Sequence, residues 1–187
     1  MKRNYTLSVI SVLVLILFIT LALGSGDTTE PERVERETPV EDTTTTPEGE
    51  PEVADEIFHV GETVKMGELE FTVNSARWDK GSEFMKPEPG ERWLVLDCTI
   101  ENKGEKSSAI SSLLMFSLYD EDHYSRDVEI FADTKGSLDG ELGARRTMRG
   151  EIAFNVEEGQ TKWEFIFQPN VLGFGQAIYI ITEADVN

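Results

Sequence analysis

The stretch that decides the fold class is RWLVLDCTIEN, which covers residues Arg92–Asn102. Its apolar side chains recur at every second position, namely at Leu94, Leu96, Cys98 and Ile100. Alternate side chains of a β-strand point to opposite faces, so this pattern predicts a strand with these residues on its buried face. The polar residues 102–104, which end in a glycine, are typical of the turn that closes such a strand.

Period-two alternation recurs along residues 57–187, and turn-forming residues separate the runs. The other predicted strands are Thr63–Met66, Leu69–Asn74, Leu114–Leu118, Tyr124–Phe131, Met148–Val156, Trp163–Phe167 and Gln176–Thr182. No run in this part of the sequence has a sustained 3.6-residue period. The pattern therefore predicts an all-β domain, an immunoglobulin-like antiparallel sandwich of two sheets with seven or eight strands.

The first 24 residues have the order of an export signal. Lys2 and Arg3 precede the apolar run Leu7–Leu23, which contains neither charge nor proline, and small residues follow it. The run is also close to the length of a membrane-spanning helix, so a cleaved signal and a transmembrane anchor both remain open. Both interpretations keep the basic residues inside. We therefore expect an extracytoplasmic domain, either secreted or membrane-anchored and facing outside.

Residues 25–56 form an acidic stretch rich in Thr and Pro, with twelve acidic residues against Arg33 and Arg36. Few apolar side chains interrupt it, so it cannot bury enough surface to offset the entropy lost on ordering. The like charges and prolines favour an extended chain over a compact coil. The composition predicts a disordered linker that holds the domain away from a surface.

The charge and cysteine content exclude several classes of function. The formal net charge is −19, from 36 acidic and 17 basic residues. Nucleic-acid binding depends on basic residues that displace counterions, so nucleic acid is not an expected partner. The single cysteine, Cys98, cannot form an internal disulfide, so the core alone must hold the domain together.

Several short motifs of the domain match those of a known family. They are Val60–Thr63, Phe71–Ser75, Pro89–Gly90, Trp93–Asp97, Thr99–Asn102, Phe116–Asp120 and Gly150–Phe154. Together they resemble a widespread family of exported bacterial and archaeal immunoglobulin-like domains of unknown function. That family is related to a secreted mycobacterial immunoprotective antigen. The resemblance covers about residues 57–183.

The resemblance implies the sandwich fold and export, and it implies no activity, because the matching motifs are strand cores and turns. Members often follow a lipoprotein signal and a low-complexity linker. This chain has the linker, but no cysteine follows its apolar run, so a lipid anchor of that kind is not expected.

The sequence offers no catalytic motif, and we expect no enzymatic activity. Cys98 lies on the predicted inward face, where a thiol packs as a small apolar side chain and is inert. His59 and His123 fall in the entry segment and in a predicted turn, where solvated side chains are expected. The nucleophile, zinc-protease and phosphate-loop signatures are absent from the sequence.

Three acidic residues, Asp120, Asp122 and Asp127, are candidate calcium ligands. Calcium binds six to eight oxygens, often from several carboxylates of one loop. Their spacing does not match the helix-loop-helix calcium pattern, and acidic residues also favour turns for backbone reasons. We therefore expect no cofactor, with calcium as the alternative.

Three aromatic residues, Trp78, Phe84 and Trp93, are candidates for a binding surface. Trp93 alternates with the predicted inward residues of its strand, and the other two lie near the end of the preceding strand. Aromatic side chains on an outer face can mark a partner surface. A covering loop is the alternative, and it is the one that we favour.

Taken together, these features predict a non-enzymatic extracellular or cell-surface module with a binding or structural role. Its expected partners are the membrane, through an uncleaved N-terminal segment, and an unidentified protein or surface ligand. The alternatives are a calcium-dependent adhesion or sensing domain and, more remotely, an extracellular hydrolase.

Overall fold

The structure, a computed structural model, describes residues 31–33, 56–169 and 175–187. The strands within these ranges are β1 (Glu32–Arg33), β2 (Ile57–His59), β3 (Thr63–Met66), β4 (Leu69–Asp79), β5 (Glu91–Asn102), β6 (Ser108–Ile110), β7 (Phe116–Asp120), β8 (Ser125–Arg126), β9 (Gly140–Leu142), β10 (Thr147–Glu157), β11 (Lys162–Phe167) and β12 (Ala177–Thr182). A single helical turn, α1 (Ser112–Met115), precedes β7, and a 3₁₀ turn, Glu183–Asp185, follows β12.

The strands form two five-stranded sheets and one small ribbon. Sheet 1 has the order β1-β3-β4-β5-β10, sheet 2 has the order β2-β12-β11-β7-β8, and β6 pairs with β9. The strand pairs are antiparallel except for β2 with β12, which is parallel. The predicted all-β sandwich of two sheets is confirmed.

The core lies between the two sheets and is rich in aromatic side chains. Phe71 of sheet 1 stacks on Phe167 of sheet 2, with ring centroids 4.4 Å apart. The hydroxyl of Tyr179, in sheet 2, lies 2.9 Å from the carbonyl oxygen of Phe71 and 3.0 Å from that of Glu62. A buried tyrosine hydroxyl needs such an acceptor, so Tyr179 joins the sheets by both packing and hydrogen bonding.

The period-two prediction holds best for the long strands. Leu94, Leu96, Cys98 and Ile100 of β5 are all fully buried in the main core. The predicted strands Thr63–Met66 and Met148–Val156 are present as β3 and within β10. Their inward residues are fixed by alternation, because a strand that faces a core must place every second side chain inside.

Two predicted strands differ from the structure. Leu114 lies in α1, where it is exposed, because the backbone N–H groups of Leu114 and Met115 both bond the carbonyl oxygen of Ser111. In the predicted strand Tyr124–Phe131, the only residues in a strand are the two of β8, paired with β7. Beyond them the chain leaves sheet 2 and runs along the free edge of β10, where Val128 forms a bridge with Phe154. It then reaches over the outer face of sheet 1, where Ala132 packs.

One short piece of the predicted linker forms a strand. Glu32 and Arg33 form β1, which pairs with Lys65 and Val64 at the edge of sheet 1. Long-range contacts of Arg33, rather than local sequence preference, hold this piece. The remainder of the predicted linker, residues 25–30 and 34–55, lies outside the described residues.

Among the residues described, no helix is both long and apolar enough to cross a membrane. The segment 1–24, predicted to be a signal or an anchor, lies outside the described ranges.

Candidate functional site

Asp120, the last residue of β7, is a buried structural carboxylate. Its Oδ1 accepts hydrogen bonds from the backbone N–H groups of Asp122 and Tyr124, both at 2.9 Å. Its Oδ2 accepts from Gln160 Nε2 at 2.7 Å and from the guanidinium of Arg126. Burial raises the pKa of Asp120, but the bonds from Tyr124, Arg126 and Gln160 outweigh burial and lower its pKa overall.

The three predicted calcium ligands do not form one site. Asp122 and Asp127 are exposed, whereas Asp120 points inward and its oxygens already bind donors of the protein. Within the described ranges, no three or more His, Cys, Asp or Glu side chains are placed to hold a metal ion together. The inward direction of Asp120 could have been predicted from the sequence, because Asp120 lies an even number of residues from Phe116 and Leu118, which are buried.

Trp93 does not lie on a binding surface, since only 3% of it is exposed. It packs with Val95, Ala153 and Ala132 in a second, smaller core on the outer face of sheet 1. The segment after β8 covers this face and bonds to β10, for example through Glu129 N–H to the carbonyl oxygen of Ala153 at 2.8 Å. The covering-loop alternative is therefore correct for Trp93.

Trp78 is half-buried and has partners on two sides. The guanidinium carbon of Arg92 lies 3.9 Å from the centre of its ring, which is a cation–π contact. Its ring also meets that of Trp163 edge-on, with centroids 5.8 Å apart. These contacts place Trp78 at the end of the core, where it supports packing.

Phe84 is the aromatic candidate that the structure leaves on the surface, with 89% of it exposed. It lies in the loop between β4 and β5, residues 80–90, next to Met85, which is 45% exposed. We call Phe84 and Met85 the loop tip. The two residues are contiguous and apolar, and they project from one end of the sandwich.

Hydrogen bonds within the loop hold the loop tip. Ser82 N–H donates to the carbonyl oxygen of Met85 at 2.6 Å, and Ser82 Oγ accepts from the N–H groups of Phe84 and Met85. Gly81 has φ +70°, and a Cβ there would lie 2.1 Å from the Met85 carbonyl oxygen. Only glycine fits this position, because the turn closes directly over it.

Cys98 lies where the sequence predicts it, fully buried in the main core. Burial, with the nearby charge of Asp97, raises the pKa of the thiol well above its usual value. A thiol held in its neutral form in an apolar core is a poor nucleophile. His59 and His123 are both exposed.

Sequence reasoning missed the surroundings of Arg33. The guanidinium contacts the carboxylates of Glu56 and Glu62, the carbonyl oxygen of Ile57, and the ring of Phe58. We call these four groups the Arg33 site. The contacts join residues more than twenty positions apart, so no local pattern reveals them. The one available signal is that Arg33 and Arg36 are the only basic residues of an otherwise acidic linker.

Comparison with solved structures finds β-sandwich proteins of low sequence identity. The ycdA protein of Bacillus subtilis, a provisionally assigned lipoprotein, has a TM-score of 0.52 and 17% identity over 63% of this chain. The chain spans only 37% of the length of ycdA. At this identity the likeness shows the fold alone.

Two further structures are similar at a lower level. An uncharacterised β-sandwich protein of Clostridium difficile has a TM-score of 0.48 and 15% identity, covering 73% of this chain and 100% of its own. The secreted protein MPT63 of Mycobacterium tuberculosis has a TM-score of 0.48 and 12% identity, covering 67% of this chain and 98% of its own. Comparison with curated proteins gives no match.

A family model matches residues 58–178, which is more than half of the chain and most of the sandwich. The match confirms the resemblance identified from the strand and turn motifs. The chain belongs to the family DUF4352, a domain of unknown function.

Proposed function

We propose that this chain is an exported, non-enzymatic immunoglobulin-like module that binds a protein or another surface ligand at the cell envelope. The loop tip, Phe84 and Met85, is the contact element. The sandwich serves as the rigid support, and the acidic linker separates it from the membrane.

The observation that carries this proposal is the exposure of an apolar tip on an ordered loop. Phe84 is 89% exposed, yet its backbone N–H is bonded to Ser82 Oγ at 3.3 Å. An exposed aromatic side chain gains much free energy when a partner buries it. A loop that is already ordered loses less conformational entropy on binding than a disordered one.

The bonding of the perturbed carboxylates supports a non-catalytic role. Asp97 bonds Arg149, and Glu151 bonds Arg77 Nη2 at 2.8 Å and Lys135 N–H at 2.9 Å. In each case the hydrogen bonds keep the carboxylate ionised and tie strands or loops together. General acid–base catalysis needs a group with a pKa near the working pH, and these carboxylates are shifted in the opposite direction.

The N-terminal segment and the linker support an extracytoplasmic location. The similar fold of ycdA, a provisionally assigned lipoprotein, agrees with it. The calcium-dependent alternative has no comparable support, because Asp120, which it requires, is fully occupied by protein donors.

The test compares binding of the full chain, in detergent micelles, to solubilised envelope components of the cell that produces it. The F84S/M85S variant should bind at least about tenfold more weakly than wild type. Ile130→Ser is the matched control, because Ile130 is 77% exposed on a different loop. Equal binding by F84S/M85S and wild type would contradict the proposal. So would turnover of a substrate that is lost on substitution of one polar residue.

A further inference from the structure

The segment Pro31–Arg33, from within the acidic linker, lies against the side of the sandwich. Glu32 pairs with Lys65 and Arg33 with Val64, so β1 is the outermost strand of sheet 1. An edge strand presents unpaired backbone groups that accept an added strand. In this structure the added strand comes from the same chain.

The side chain of Arg33 reaches from sheet 1 to the edge of sheet 2. Its Nε donates to Glu56 Oε1 at 3.2 Å, its Nη2 donates to the carbonyl oxygen of Ile57 at 3.1 Å, and its Nη1 donates to Glu62. All three nitrogens of the guanidinium are therefore engaged. Ile57 belongs to β2, so Arg33 bridges the open side between the two edge strands.

The Arg33 site suits arginine better than lysine. The planar guanidinium directs its donors along a fixed fork, and here that fork meets two carboxylates and one carbonyl oxygen. Its central carbon also lies 5.0 Å from the centre of the Phe58 ring, within range of a cation–π contact. A lysine ammonium is a compact charge that cannot reproduce this divergent set of contacts.

The orientation of Glu62 does not depend on Arg33 alone. Its Oε2 accepts the backbone N–H of His59 at 2.7 Å, and its Oε1 faces Arg33. Because the turn between β2 and β3 holds this carboxylate, the acceptor is already in place when an arginine arrives. This preorganisation is a property of a binding site, since it lowers the cost of ordering on binding.

We propose that the edge formed by β2 and β3 is a binding site for an arginine carried on an extended strand, and that Pro31–Arg33 occupies it as an intramolecular ligand. The linker then has two states. In the docked state, Arg33 and Glu56 are in contact, so these two positions of the linker are held together. In the released state, the whole linker separates the sandwich from residues 1–24.

The strength of the site fits a reversible contact. The side chains of Arg33, Glu56 and Glu62 are each about one-third exposed, at 33%, 39% and 34%. Ion pairs exposed to this degree contribute little to stability and are screened by salt. The two-residue strand adds few hydrogen bonds, so modest changes in ionic strength or a competing basic strand can release it.

Release changes the reach of the linker. A fully extended chain spans at most about 3.3 to 3.6 Å per residue, so freeing the 22 residues 34–55 adds up to about 75 Å. This consequence rests on the proposed anchoring at the membrane. The site itself does not depend on that anchoring or on a partner at the loop tip.

Hydrogen exchange of the full chain in detergent micelles tests the site directly. In wild type, fragments that cover residues 31–33 should exchange about tenfold more slowly than fragments that cover the threonine run 43–46, because an edge strand protects its amides. Raising the salt to about 1 M should reduce this difference, since it screens the ion pairs.

Hydrogen exchange of substituted variants tests whether Arg33 is the residue that holds the strand in place. Arg33→Ala and Glu62→Gln should both remove the protection of residues 31–33, and Arg33→Lys should restore only part of it. Arg36→Ala is the matched control, because it removes the same charge from the same linker, and it should leave the protection intact. Unchanged exchange in Arg33→Ala, or equal loss in Arg36→Ala, would overturn the proposal. None of these results depends on the loop tip, so failure of the proposed function would be distinguishable.

Discussion

Gln160 Nε2 donates a hydrogen bond of 2.7 Å to Oδ2 of Asp120, from the turn that precedes β11 to the end of β7. Only 1% of Asp120 and 8% of Gln160 are exposed. The same carboxylate oxygen receives the guanidinium of Arg126. Asp120, which the sequence suggested as a metal ligand, therefore binds protein donors and stabilises the fold.

We expect Asp120→Ala to lower the free energy of unfolding by about 3 kcal/mol, because it leaves the charge of Arg126 without its buried partner. Asp122→Ala is the matched control, and it should change stability by less than about 0.5 kcal/mol, because its side chain is exposed. Urea denaturation at neutral pH measures both. Similar values for the two variants would contradict the structural role of Asp120.

Calcium should leave the melting temperature of the wild-type chain unchanged. A ligand that binds the folded state raises its stability in proportion to the logarithm of its concentration over its Kd. Asp120 has no free oxygen to offer, so we expect the same melting temperature in millimolar calcium and in chelator. A rise with calcium that Asp120→Asn abolishes would restore the calcium-dependent alternative.

Acid should destabilise the domain through its bonded carboxylates. The folded pKa values of Asp97, Asp120 and Glu151 are lowered by their hydrogen-bond donors. Their contribution is therefore present above the unfolded pKa values, about 4, and is lost as pH falls through the lower folded values.

Urea denaturation at pH 7, 5, 4, 3 and 2 measures this dependence. Protonation also relieves repulsion among the excess acidic residues, which acts in the opposite direction. The informative quantity is therefore the difference between wild type and Asp120→Asn, which should shrink below pH 4. A difference that stays constant from pH 7 to 2 would show that the pKa of Asp120 is not lowered.

Truncation of two aromatic candidates, Trp93 and Phe84, should change the free energy of unfolding by very different amounts. Trp93→Ala should cost about 3 to 5 kcal/mol of stability, because it leaves a cavity in the small core that it forms with Val95, Ala132 and Ala153. Phe84→Ala should change stability by less than about 0.5 kcal/mol, since 89% of the residue is already in solvent. A large loss for Phe84→Ala would mean that the loop tip is packed.

The long strands were predictable from sequence because alternation depends on a simple geometric rule. The inward faces of β5 and β10 follow it along most of their length. The rule assigns side chains to one face of a strand or the other, but it does not predict what covers the outer face. For that reason the sequence alone could not decide whether Trp93 is exposed or covered by a loop. The segment that covers it pairs with β10 over a long sequence distance and has no strong period of its own.

The candidate site was less predictable for a related reason. Phe84 was identified as a candidate from its position beyond a strand end, but its exposure depends on the turn that Gly81 and Ser82 build. Arg33 was missed because its carboxylate partners lie 23 to 29 residues away, at the very end of the linker (Glu56) and within the domain (Glu62). Composition describes a segment as a whole and cannot identify the one residue that docks.

Site-specific photo-crosslinking in the intact cell would show whether the loop tip contacts an envelope component. A photoreactive phenylalanine analogue at position 84 should give a discrete covalent adduct with an envelope component. The same analogue at position 130, another exposed apolar position, should give none. Adduct at 84 but not at 130 is the result that a binding module with its contact at the loop tip predicts. No adduct at 84, or the same adduct at both positions, would contradict it.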